Sequence, residues 1–149
     1  MNPFDLKEAL LAKHAQHVVL IHFPIALLIA GVGLDFVAHW GKRLSLTVAA
    51  YYNFLVAALS TLPVIATGLL AWEYQLEGRR LKGILLELLV LGTISSLLIW
   101  LVWYIHFRAR RSSRTTLPGY RLSVELLAVA FVVLTGHLGG FLSGVNGPG

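Results

Sequence analysis

Two apolar stretches carry histidine where hydrocarbon-facing sequence would avoid it. HVVLIHFPIALLIAG, residues 17–31, sets His17 and His22 on either side of a VVLI run, with Pro24 close behind. LTGHLGG, residues 134–140, places His137 between small residues. Neutral imidazole binds iron, zinc and copper, and an ionisable side chain inside a membrane is a functional candidate when it faces the bundle interior. At about 100° per residue, Ala26, Ala30 and Gly33 follow His22 along one narrow stripe. Ala130, Gly140 and Gly144 make a similar stripe with His137. Both stripes are expected to face inward, and their small side chains leave room either for close helix packing or for a flat macrocycle. His17 is about 140° from His22, so the two cannot both reach one central ligand. The deeper His22 is the expected inward residue, and His17 is expected at the interface, against a neighbour or at the rim of a metal site.

Three uses of this histidine layer follow. Haem b held by His22 and His137 as axial ligands would suit electron transfer, because two imidazoles leave iron little room for other ligands. A zinc, iron or copper ion could instead be held by His22, His137 and Glu87. In a purely structural use, the histidines hydrogen-bond backbone groups freed at Pro24 and at the GHLGG end. Pro24 removes one donor and leaves the Leu20 carbonyl without its usual partner, unless it simply occupies a first-turn position. His39 and His106 offer a weaker second haem pair, which local hydrogen bonding explains more simply. Asp35 and His39 are four apart on one helix face and are expected to pair locally, as are Arg121 and Glu125.

The elements that must position these residues are membrane helices. The chain has 149 residues, 57% of them hydrophobic and only 13% charged, with a mean hydropathy of +0.76. Four apolar segments, at about 17–40, 44–72, 83–107 and 120–142, each reach the ~20 residues that cross a ~30 Å hydrocarbon layer. Trp40, Trp72, Tyr74, Trp103, Tyr104 and Tyr120 fall where an interfacial belt belongs. The connections GKR, EYQLEGRRLK and RARRSSRTTLPG are short, so neighbouring helices should be antiparallel. The expected fold is all-α, a four-helix transmembrane bundle in a single domain, with residues 1–15 as an amphipathic lead-in on the membrane surface. No removable signal peptide is expected, and the first apolar run should stay as an anchor.

The net charge of +5 sits in clusters between apolar runs, which is the pattern of membrane loops and argues against nucleic-acid binding. With no cysteine, Fe–S clusters, disulfides and covalently attached haem are excluded. No G-x-S-x-G, H-E-x-x-H or phosphate-binding loop is present, so hydrolytic chemistry is not indicated. Lys7, Lys13, Arg79, Arg80 and Lys82 would lie on the side of the termini, and Lys42, Arg43, Arg108, Arg110, Arg111, Arg114 and Arg121 on the other. The positive-inside rule then puts both termini outside. His22, His137 and Glu87 fall in one outer layer, and Asp35, His39, His106 and Glu125 near the inner face. Asn53, Ser60, Thr61 and Thr67 should hydrogen-bond between helices.

HVVLIHFPIALLIAGVGLDFVAH, ATGLLAWEY and LTGHLGGFLSGVNG together resemble an uncharacterised family of small bacterial four-helix membrane proteins. Its members open on His-x4-His-Phe-Pro-Ile-Ala-Leu and close on Thr-Gly-His-x-Gly-Gly. The resemblance implies an inner-membrane location, association with cytochrome c-like or Rieske-like modules, and b-type haem held by His22 and His137, with His17 as the opening motif histidine. A further histidine early in the third helix would be expected from that resemblance, and LKGILLELL offers only Lys82 and Glu87. The function expected first is an electron-transfer or docking subunit, exchanging electrons between a membrane carrier such as quinone and a redox protein on the outer side. A cofactor-free scaffold subunit is the alternative, and a transporter ranks third.

Overall fold

The computed structural model describes residues 13–75, 82–112 and 117–142. They form four helices: α1 (Lys13–Gly41), α2 (Leu44–Gln75), α3 (Ile84–Arg111) and α4 (Arg121–Leu142). Each contains a stretch long and apolar enough to cross a membrane, Val19–Gly41, Leu44–Leu70, Ile84–Arg111 and Arg121–Gly140. The fold is the expected all-α four-helix bundle. α1, α2 and α3 run past their expected C-terminal ends because the hydrogen-bond ladder continues where the side chains turn polar, and α4 ends where expected. The lead-in expected over 1–15 lies outside the described residues except for its last three, which begin α1.

α1 and α2 turn back on each other through Lys42 and Arg43. Lys42 takes φ 51°, the left-handed region that glycine usually fills, and the Arg43 amide donates to the Ala38 carbonyl at 3.3 Å. That bond closes the end of α1 in the manner of a Schellman turn. At the start of α3, Gly83 has φ 60° and ψ −138°, which a side chain resists. The α1–α2 interface is the most extensive, α3–α4 comes next, and α1 meets α4 over a short stretch.

The core is Leu28, Val32, Ala50, Phe54, Ala57, Ala58, Ile99, Val102, Ala128 and Val132. These residues come from the second half of α1 and α3, the first half of α2 and, from Ala128 to Val132, the middle of α4. The bundle is therefore packed most densely toward its arginine-rich end. Gly31 makes this possible: a Cβ there would stand 2.6 Å from Phe54 Cε1, so only glycine lets the ring lie against α1. Polar side chains tie the hairpins elsewhere. Trp100 Nε1 donates to Thr61 Oγ1 at 3.1 Å, and Ser95 and Thr135 hydroxyls meet at 2.9 Å.

Candidate functional site

The buried stripe of α1 consists of Pro24, Leu28, Gly31, Val32, Asp35 and Ala38. His22, Ala26, Ala30 and Gly33 are exposed, about 200° away from Pro24, Leu28, Val32 and Asp35 in turn. The expected inward direction of the His22 stripe is thus reversed. Within one chain the surface that these small residues form is not the core. His137 and Ala130 are exposed as well, and Gly140 is half-buried; Gly144 lies outside the described residues. In the closing motif it is Thr135 and Gly139 that face α3, through Ser95 and Leu88. Pro24 lies well inside α1, not in a first turn, and its ring is buried.

His17 packs against α2. The Thr67 hydroxyl donates to the Pro63 carbonyl at 2.8 Å, so it accepts from His17 Nδ1 at 3.0 Å. Among the remaining helix 2 residues, Thr61 serves an interhelical bond, while Asn53 donates to the Ala49 carbonyl within its own helix and Ser60 to that of Ala57. Glu87 is exposed and lines a shallow apolar hollow with Leu86, Val90, Leu91 and Leu138.

The buried ionisable groups gather at the other end. Arg121, the first residue of α4, donates through Nε to Asp35 Oδ2 on α1 at 2.7 Å. Its second and third contacts are weaker, to the Pro118 carbonyl at 3.3 Å and to His39 Nδ1 at 3.4 Å. Since guanidinium can only donate, His39 Nδ1 is the acceptor and carries no proton. His106 Nε2 and Glu125 Oε1 are hydrogen-bonded at 2.8 Å, each side chain 1% exposed. The His106 ring rests on Phe54 with centroids 4.8 Å apart. A chain of contacts thus runs from Gly31 through Phe54 to His106 and Glu125. At 1.5 Å per residue the group lies about 6–9 Å inside the arginine-rich end of the bundle.

Two expectations change here. Asp35 and Glu125 do not settle into local pairs with His39 and Arg121; each reaches across the bundle to another helix. His106, fully packed between Phe54 and Glu125, has no space beside it for a second macrocycle, and His39 is engaged by Arg121. Among the described residues, Asp35, His106 and Glu125 are the group of His and acidic side chains whose ligand atoms all come within 4.8 Å of one another. His22, His137 and Glu87 do not form such a group. Asp35 Oδ1 and Glu125 Oε2 are buried and have no hydrogen-bond partner.

Residues 13–147 match a family described as a predicted membrane protein family, DUF2231. The chain belongs to the DUF2231 family. The match covers nearly all of it, including HVVLIHFPIALLIAG and LTGHLGG. No curated protein and no solved structure matches the chain. Membership agrees with the four spans and with a membrane location. For this DUF2231 member, the fit of a haem has to be judged on its own side chains. Because His22, Ala26, Ala30, Gly33 and His137 are exposed, a macrocycle ligated by this pair does not fit inside the single chain; it would lie at the surface.

Proposed function

We propose that this protein is a docking subunit of a larger assembly in the bacterial inner membrane. Its arginine-rich end faces the cytoplasm and both termini face outward. The face that receives other membrane components is the outward stripe of α1, His22, Ala26, Ala30 and Gly33. The observation that supports this reading is the direction of that stripe. Small residues along that line allow the backbone of a neighbouring helix to approach closely. The cysteine-free sequence permits a direct test. Ala26→Cys or Ala30→Cys should cross-link to another membrane polypeptide in native membranes. Val56→Cys, exposed on α2, should not. Equal reactivity of all three with lipid-soluble maleimide, without cross-links, would remove the proposal.

A second reading, electron transfer with haem b, is favoured by one observation. His22 lies about 20 Å along α1 from Asp35, and His137 about 24 Å along α4 from Arg121. Both are therefore at the end away from the buried core, on two helices that meet over only a short stretch. A haem bound there would supply one-electron chemistry, for exchange with quinone or a redox protein on the outer side. The purified protein would then show a Soret band that His22→Ala or His137→Ala removes. A colourless preparation from haem-sufficient cells would exclude it.

A further inference from the structure

We infer that Asp35, His106 and Glu125 form a binding site for one divalent first-row transition-metal cation, held between α1, α3 and α4. This inference is independent of the docking reading, whose stripe lies on the exposed side of α1, and of the haem reading, whose histidines lie at the opposite end of the bundle. Three features lead to it.

The first is composition and proximity. One imidazole and two carboxylates present ligand atoms within 4.8 Å of one another. Ligands about 2.1 Å from one ion stand roughly 3.0–3.5 Å apart, so small rotations of the carboxylates complete the set. The 2.8 Å approach of His106 Nε2 to Glu125 Oε1 already has the scale of two ligands side by side. The second feature is the pair of unmet acceptors. Asp35 Oδ1 and Glu125 Oε2 are buried without a partner, in a part of the molecule where such groups are ordinarily satisfied. Both belong to the same three residues. The third feature is charge. With Arg121 paired to Asp35 the carboxylates keep one net negative charge for a cation, and the imidazole selects a transition metal over sodium, magnesium or calcium, which take oxygen ligands. Zinc, iron(II) and manganese(II) all suit this donor set.

The surroundings hold the ligands in place. Arg121 grips Asp35 through Oδ2, which leaves Oδ1 for the ion, as expected of an outer-shell partner. Phe54 backs the His106 ring, and Gly31 provides the space for Phe54. On binding, the ion takes the place of the hydrogen between His106 Nε2 and Glu125 Oε1.

The test uses the full chain in nanodiscs, loaded separately with Zn2+ and Mn2+ and dialysed. Elemental analysis should give about one ion per chain. Pulsed electron paramagnetic resonance of the Mn2+ form should show coupling to one histidine nitrogen, a readout that needs no variant. Glu125→Gln, which keeps the side-chain shape, should weaken binding at least tenfold, and Asp35→Asn should do the same, while Glu73→Gln leaves it unchanged. No retained ion in the unmodified protein would overturn the assignment and leave a water donating to both carboxylates as the occupant. Coupling to no histidine nitrogen, or to two, would also overturn it. So would binding that survives Glu125→Gln and disappears in His22→Ala or His137→Ala.

Discussion

At the residue scale, the decisive contact is the ion pair between Arg121 and Asp35, buried at 4% and 1% side-chain exposure. A cation at the first residue of a helix opposes the positive end of the helix dipole, so Arg121 is poorly placed unless Asp35 answers it. Removing one partner of a buried pair strands the other charge, whereas replacing both with apolar residues is often neutral. Arg121→Met or Asp35→Asn alone should therefore destabilise the bundle by about 3–5 kcal/mol. The double variant Asp35→Leu/Arg121→Met should recover most of that loss, as read by denaturation in mixed micelles. Gly31 gives a second residue-scale prediction. Gly31→Ala drives a methyl into the Phe54 ring and should cost about 1–3 kcal/mol, as overpacking does; Phe54→Leu should relieve it in the double variant. Neither interaction was readable from spacing. Arg121 and Asp35 are 86 positions apart, and local pairing rules see only residues three or four apart. The composition of HVVLIHFPIALLIAG drew attention to the small residues of α1, but it could not tell which way they face.

At the scale of elements, the four helices were legible because each apolar run is long enough to cross a bilayer and each is bounded by charge or an interfacial aromatic. Their ends were less so. α1 extends through Gly41 and is stopped by Lys42 in a left-handed conformation, a role for which sequence rules look for glycine. Lys42→Gly should therefore stabilise the α1–α2 hairpin by about 0.5–1 kcal/mol, measured as a rise in the midpoint of thermal unfolding in nanodiscs. The facing of the closing motif also follows from packing rather than composition. Thr135 accepts from Ser95 because its own hydroxyl proton is given to the Phe131 carbonyl at 2.7 Å. Thr135→Val should cost about 0.6 kcal/mol, the usual worth of an interhelical hydrogen bond in a membrane, with α3 and α4 otherwise undisturbed.

For the whole molecule, the bundle is asymmetric along its axis. Among the described residues, its arginine-rich end holds the buried core, the ion pairs and the three candidate metal ligands. Arg110 there lies over the Tyr51 ring at 4.4 Å, and the basic last turn of α3 complements its dipole. The other end carries the exposed His22 and His137, on helices that touch only briefly. The proposed docking stripe of α1, from His22 to Gly33, lies on the exposed side of the helix and the buried groups on its inner side. Native mass spectrometry of the chain released directly from its own membrane vesicles tests the proposed docking most directly. The account predicts the chain in complex with a further polypeptide, and loss of that complex when Ala26 and Ala30 are both changed to Leu while the bundle stays folded. Release of the bare single chain, with the same spectrum from the double variant, would contradict it.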